Sequence, residues 1–391
     1  KLYLGALLQF NRKAEALTVA RDSRAFAQRD PEFLNAWLTL EATAGNRALA
    51  LDQREQIQRR DAADVVNGVA LAELYIDAKD WDKARSLIDK LRVGNEASIP
   101  VATADARWYA DKGDLDNAGQ VFVKLIEAVG KTVPAGKEMP PDSYVVFGQF
   151  MIQHGRLDMG LAALRQAERL QNPVTMDVSM LLGNVLLTKG RYTDAEEVFR
   201  KLIEAKVPDP RHDIVKRLIE TYLQLQRLDD VEAEFVKLGA AADDDPELMS
   251  QRAFAARSKG DLKRAREILD RAVLKFPSEP LPYVRRARLL MLEPNTVRDA
   301  LADLDTAVKI RPAMWQARRT RGMLLLGQGQ IDLGIKDLMA AVESAPNLDS
   351  LRMELIDTLL KLGREPEALD VADAGLRPRP SDVALIGMTA D

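Results

Sequence analysis

The sequence predicts an all-α fold, an α-solenoid of antiparallel helix pairs repeated along the chain. Three observations lead there. Of 391 residues, 47% are apolar but only 5% aromatic, so Leu and Ala carry most of the apolar content, a balance that suits helix packing better than sheets. A turn residue recurs at a nearly constant step. A small residue follows each turn at a fixed distance, which replaces the two or three domains expected from length alone with one unit repeated many times.

The turn residues are Asn11, Gly45, Lys79, Gly113, Gly155, Gly190, Gln226, Gly260, Asn295, Gly329 and Gly363, separated by 34, 34, 34, 42, 35, 36, 34, 35, 34 and 34 residues. Gly and Asn tolerate the left-handed conformation that ends a helix. Before seven of the turns the first helix carries a small residue at one shared place: Ala72, Ala106, Gly148, Gly183, Ala253, Ala287 and Gly322. Two helix backbones can approach closely there. Bulky residues follow three positions on, including Tyr75, Tyr109, Met151, Leu186 and Tyr222. Five residues past each turn the second helix places Ala16, Ala50, Ala84, Ala118, Gly160, Ala195, Val231, Ala265, Ala300, Gly334 and Ala368. Four further on stand Ile88, Phe122, Leu164, Phe199, Phe235, Leu269, Leu304 and Leu338, spacing that gives each helix one buried stripe. Pro277, Pro312, Pro346 and Pro380 close four of the second helices, because proline stops one helix before the next begins.

This pattern resembles the tetratricopeptide repeat, a 34-residue helix–turn–helix unit with W-x2-L-G-x2-Y, then A-x3-F, then P. The units Glu247 to Pro277 and Gln316 to Pro346 carry most of it. The resemblance implies a right-handed α-solenoid, a superhelix whose first helices line a concave groove. The expected units span about 1–30, 31–63, 64–98, 99–126, 142–173, 175–208, 211–244, 246–277, 280–312, 315–346 and 348–380. They form one continuous array over 1–391, with 381–391 starting a further helix. Residues 127–141, rich in Pro and Gly, read as a surface insertion. The acidic linker Ala241 to Pro246 ends in Asp245, placed to cap the next helix. Both ends fall inside helices without polar caps, so the expectation is a segment of a longer chain.

Composition also narrows function. Cysteine is absent and the two histidines, His154 and His212, lie far apart, which leaves little for thiolate or imidazole chemistry. His154 fits a helix C-terminus and His212 an exposed position after Pro208-Asp209-Pro210. No phosphate loop, nucleophile elbow, zinc helix motif or calcium loop occurs. The expectation is no catalytic residue, no cofactor and no metal. No apolar run is long enough to span a membrane. Net charge is −4, which argues against a general nucleic-acid binder.

Charge placement is the functional signal. Between Arg252 and Arg321, 13 Arg and 4 Lys face 8 acidic residues, a local +9 within a chain of −4. Arg252, Arg286 and Arg321 share one register position directly before the small residue, where other units hold Leu71, Phe147 or Leu182. Ion pairing with Asp303 and Asp305 is the competing explanation for them. The resemblance places Arg257, Arg288 and Arg319 toward the groove. Guanidinium groups stacked at repeat spacing suit carboxylates or other anions, so Arg252, Arg257, Arg286, Arg288, Arg319 and Arg321 are the six candidate binding residues of the groove. The chaperone-binding subtype of the family needs Lys and Asn four residues apart on a first helix; the matching positions hold Met180/Asn184, Lys216/Glu220, Ser250/Phe254 and Arg319/Met323, so that clamp is absent.

The sequence therefore predicts a non-enzymatic scaffold for another protein or an extended, acidic peptide, with an anionic polysaccharide as a lesser option. The alternative is a targeting or assembly arm of a larger enzyme or of a bacterial export machine. Zero cysteine and abundant arginine suit a bacterial protein, cytoplasmic or, by a slight lean, exported.

Overall fold

The computed structural model describes Leu7 and residues 12–23, 30–171, 175–346 and 348–376. Asn11, Pro380 and the expected helix over 381–391 lie outside the described residues. Helices account for the described architecture, and no strand occurs among those residues. Two compact units are present, residues 1–182 and 183–391.

The first unit opens with α1 (Lys13–Asp22), then the pairs α2 (Pro31–Thr43) and α3 (Arg47–Arg60), α4 (Val65–Asp77) and α5 (Trp81–Arg92). The pairs α6 (Ile99–Asp111) and α7 (Leu115–Thr132), α8 (Asp142–Gln153) and α9 (Leu157–Arg169) follow. Helix α10 (Met176–Thr188) runs across residue 182 and precedes α11 (Tyr192–Glu204). The second unit continues with α12 (Asp213–Gln224) and α13 (Leu228–Leu238), α14 (Pro246–Ser258) and α15 (Leu262–Lys275), α16 (Pro280–Leu290) and α17 (Val297–Ile310). It ends with α18 (Trp315–Gly327) and α19 (Ile331–Ser344), α20 (Asp349–Lys361) and α21 (Glu365–Leu376).

The turns obey the sequence register. Lys79, Gln226 and Asn295 sit at φ 57°, 57° and 66°, and the seven glycines at the remaining described turn positions also have positive φ. The residue after the turn donates its backbone N–H back to the bulky first-helix residue, as Asp80 does to the Tyr75 carbonyl and Asp114 to that of Tyr109, both at 2.9 Å. This closes the helix end in a six-to-one bond. The same residue starts the next helix. Where it is Asp, its carboxylate accepts from the third N–H: Asp80 from Lys83, Asp114 from Asn117 at 3.1 Å and Asp261 from Arg264 at 2.9 Å.

Between the paired helices the small residues are buried to the backbone. A Cβ on Gly322 would lie 2.8 Å from the Gly334 carbonyl, and one on Gly334 would lie 2.8 Å from the Gly322 carbonyl. Gly148 and Gly160 repeat this reciprocal contact between α8 and α9. Apolar side chains four beyond the second-helix small residue fill the space beside it; Ile88, Phe122, Leu164, Phe199 and Leu304 are fully buried. The pair α2 and α3 departs from this rule. Arg54 stands four beyond Ala50, only 2% exposed, and donates to the Asn35 carbonyl at 3.2 Å and to Thr39 at 3.0 Å. Burial pushes its pKa down to about 10.

Successive first helices touch one another: α4 with α6 and α6 with α8 in the first unit, and α12, α14, α16 and α18 in turn in the second. Successive second helices show no comparable contact among the described residues. The row of first helices is thus the tight side of each unit.

Two segments differ from the sequence reading. Helix α7 continues to Thr132, taking part of the expected 127–141 loop, because Ile126 and Val129 still pack against the core of Phe122 and Phe147. Pro134 then forces Val133 to an extended ψ of 125° and ends the helix. The acidic linker contains a 3₁₀ turn, Gly239–Asp244. Asp245 caps α14, accepting from Glu247 N at 2.8 Å and Leu248 N at 3.0 Å.

Replacing Gly322 by Ala should cost about 1–3 kcal/mol, because the added methyl meets a backbone carbonyl that cannot rotate away; denaturant melts check this, and an unchanged midpoint would contradict the close packing. Glu41, 2% exposed, accepts from both Arg21 nitrogens at 2.7 Å and from Trp37 Nε1 at 3.0 Å. The Arg21 bond holds its pKa at about 2, against 4.5 ordinarily. A depressed carboxyl stabilises the fold above its unfolded pKa and loses that contribution as pH falls through the folded value. The stability gap between the parent and Glu41→Gln should therefore shrink below pH 4.5 and close near pH 2; urea midpoints across that window that keep a constant gap would rule the pairing out.

Candidate functional site: unpaired arginines on the first-helix face

The six sequence-selected arginines separate into two kinds. Arg286 grips Asp303 with both arms at 2.8 and 2.7 Å and reaches Asp270 at 2.9 Å. It straps the second helix of its own pair, α17, to that of the preceding pair, α15. Arg321 repeats the strap, to Asp337 at 2.5 and 2.8 Å and to Asp305 at 2.8 Å. Asp303 and Asp337 are buried, so these pairs sit inside the helix packing. The hydrogen bond to Asp303 raises the Arg286 pKa above its ordinary value, and that to Asp337 raises Arg321. Arg252 approaches Asp243 at 3.5 Å and lies over the Phe235 ring. One register position thus points these side chains between helices.

Arg257 and Arg288 have a different setting. They share a small cleft with Phe254 and with Arg285, a residue the sequence reading missed. The α14 and α16 helices build it: Phe254 and Arg257, and likewise Arg285 and Arg288, are three residues apart and therefore neighbours on one helix face. Arg257 and Arg285 carry their guanidinium carbons 4.9 and 5.0 Å from the Phe254 ring centre. Among the described residues no carboxylate lies within ion-pair distance of Arg257, Arg285 or Arg288. Arg285 Nε is buried with no hydrogen-bond partner. Arg288 donates through Nε and Nη2 to one oxygen, Thr320 Oγ1, at 3.2 and 3.0 Å.

The electrostatics follow from that geometry. Burial, then the nearby charges of Arg285, Arg319 and Arg257, push the Arg288 pKa down to about 10. Burial and Arg257 lower Arg285 as well. Arg319, the third arginine expected in the groove, is held by Glu354 at 2.5 and 2.7 Å, which raises its pKa. On the other side Arg217 engages Glu220 and Glu247. A stretch of positive charge without direct ion pairs therefore stands in a row of first helices whose other arginines are paired, with Glu220 and Glu247 acting on Arg285 only through space.

The histidines are structural. His154 Nδ1 contacts the Phe150 carbonyl at 2.8 Å at the end of α8, with its ring stacked on Phe150 at 4.2 Å. His212 is half-buried rather than exposed and takes φ 56° before α12, while Asp209 caps that helix with bonds to Asp213 N and Ile214 N at 2.6 and 3.0 Å. No helix among the described residues is long and apolar enough to cross a membrane.

The sequence profile of the family described as Tetratricopeptide repeat matches residues 152–210 and 319–383. A solved tetratricopeptide repeat protein from Parabacteroides merdae is similar over 66% of this chain and 97% of its own, with 18% identity and a TM-score of 0.50. Over residues 152–210 and 319–383 the chain carries tetratricopeptide repeats. Its all-α repeat solenoid also aligns with a chain of the APC/C hetero-tetramer Cut9-Hcn1, at 13% identity, over 99% of this chain and 88% of that one, with a TM-score of 0.41. The monomeric IFIT1 mutant with m7Gppp-AAAA aligns at 13% identity over 87% of this chain and 89% of its own, with a TM-score of 0.42. No curated protein matches the chain. Tetratricopeptide repeats serve as protein-protein interaction scaffolds, and the chain is placed in that general class.

The two kinds of arginine should behave oppositely in this repeat array. Arg286→Ala strands the buried Asp303, while Asp270 keeps Arg266, and should cost about 3–5 kcal/mol. Arg288→Met removes a charge repelled by its neighbours and should leave stability unchanged or higher. Denaturant titration of both variants checks this; equal losses would erase the distinction.

Proposed function

We propose that this protein holds an extended, acidic segment of another protein along the first-helix face of its second unit, with Arg257, Arg285 and Arg288 as the anchor and no catalytic step. One observation carries the reading: three neighbouring guanidinium groups, half-buried, have no carboxylate among the described residues. Half-buried cations without counter-charges are costly to keep, and a partner carboxylate supplies what they lack through charge-assisted bonds. Arg319 extends the same face once Glu354 is exchanged for a partner acid. Arg252, Arg286 and Arg321 contribute by holding the helices in place. Complementary charge of this kind sets orientation and partner choice.

The test is a fluorescently labelled oligo-glutamate peptide and its oligo-glutamine counterpart, titrated into the protein at low salt. Binding of the acidic peptide alone is expected, weakening as salt rises, with at least a roughly tenfold loss in the Arg257→Gln/Arg288→Gln variant, two charge-assisted contacts being worth about 1.5–3 kcal/mol each. Equal binding of both peptides, or unchanged affinity in a variant whose melting matches the parent, would overturn the assignment.

A further inference from the structure

We propose that the cluster of Arg257, Arg285 and Arg288 is a phosphoryl site, so that the segment it takes carries a phosphorylated side chain. This deepens the reading above and rests on it. Two properties of the cluster exceed what a single carboxylate can use.

The first is the number of idle donors. Three guanidinium groups present about fifteen N–H groups. Only two of them, on Arg288, find a protein acceptor, and both converge on Thr320 Oγ1. Thr320 spends its own hydroxyl proton on the Gln316 carbonyl at 2.7 Å. Arg257 and Arg285 lie over the Phe254 ring and make no hydrogen bond among the described residues, the Arg285 Nε being buried without an acceptor. A carboxylate offers two oxygens to such an array. A phosphate monoester offers three strong acceptor oxygens, and Arg forks pair with phosphate bidentately.

The second is charge. Three cations without an ion pair among the described residues line the site; Glu220 and Glu247, whose charges reach Arg285 through space, are ion-paired to Arg217, and Glu354 is ion-paired to Arg319. One carboxylate leaves two of the three charges bare. A phosphorylated side chain carries about −1.5 to −2 at neutral pH and leaves about one. The cleft between Phe254, Arg257, Arg285 and Arg288 encloses about 10 Å³, room for a single oxygen. That oxygen sits where the buried Arg285 Nε has no acceptor, and the other two stay at the mouth among the outer guanidinium edges.

Three otherwise identical labelled peptides, Gly-rich with several Glu and differing only in one central residue, decide the matter by fluorescence anisotropy: Ser, Glu and phosphoserine. The phosphoserine peptide should bind at least roughly tenfold tighter than the Glu peptide, and its advantage should fade as pH drops from about 7.5 to about 5.5, across the second phosphate pKa near 6. The Glu peptide should hold its affinity over that range. Arg285→Lys, which keeps the charge but removes the Nε donor, should shrink the phosphoserine advantage to within about threefold while Glu-peptide binding changes little. Equal affinities for phosphoserine and Glu peptides, both above Ser, would overturn the phosphoryl site and leave the acidic-segment reading standing. Three equal peptides, together with no oligo-glutamate binding, would overturn both. The parent series decides without the variant, so a folding defect in Arg285→Lys does not shelter the proposal.

Discussion

The structure depends on how closely two helix backbones can meet. At Gly322 and Gly334, and again at Gly148 and Gly160, each residue sits where a Cβ would strike the other's carbonyl. Elsewhere Ala72, Ala106, Ala253 and Ala287 take the small position and are buried. With the small residues fixed, the large ones four positions on have one place to go, the space beside the contact. The left-handed turn residue completes the unit, since it reverses the chain within a few residues and leaves no slack for a different pairing.

Once the pairs are set, their stacking decides where charge is tolerated. Between second helices and the pair behind them, space opens for Arg286 and Arg321 to reach two acids each. In each strap one acid is buried, Asp303 or Asp337, and the other is more open, Asp270 half-buried and Asp305 exposed; together the contacts bridge three helices and tie one pair to the next. On the first-helix side, neighbouring helices touch and side chains are crowded into a shared strip. Arg257, Arg285 and Arg288 end up side by side there with no acid among them. The same row of first helices therefore uses arginine as a strap where it reaches back to second helices, and holds Arg257, Arg285 and Arg288 without an ion pair among the described residues.

Much of this was legible in the sequence because it is local. Every described turn position read from the 34-residue step has positive φ, and the small positions are buried as their spacing demands. Asp245 caps its helix for a reason visible within a few residues. Other features were present in the register but easy to pass over. Arg54 occupies the position that is apolar in the neighbouring pairs, and its burial follows from that. Arg285 lies three residues before Arg288 on one helix, the spacing of same-face neighbours. The extent of α7 was hidden by its glycine and by the prolines that follow, although Ile126 and Val129 keep the apolar stripe running.

The sequence by itself determined the unit, its length, the points where the chain reverses and the residues that must be small, because each of these is settled within one helix pair by backbone conformation and side-chain size. Only the tertiary structure decided which arginines are neutralised. Arg286 and Arg288 are two residues apart on α16, and nothing in that spacing says which carboxylate either will meet. One meets Asp303 and Asp270, and the other meets Thr320 and the charges of three further arginines. Partners some 16 to 32 residues away in the chain make that difference, and their positions are fixed by how successive pairs stack.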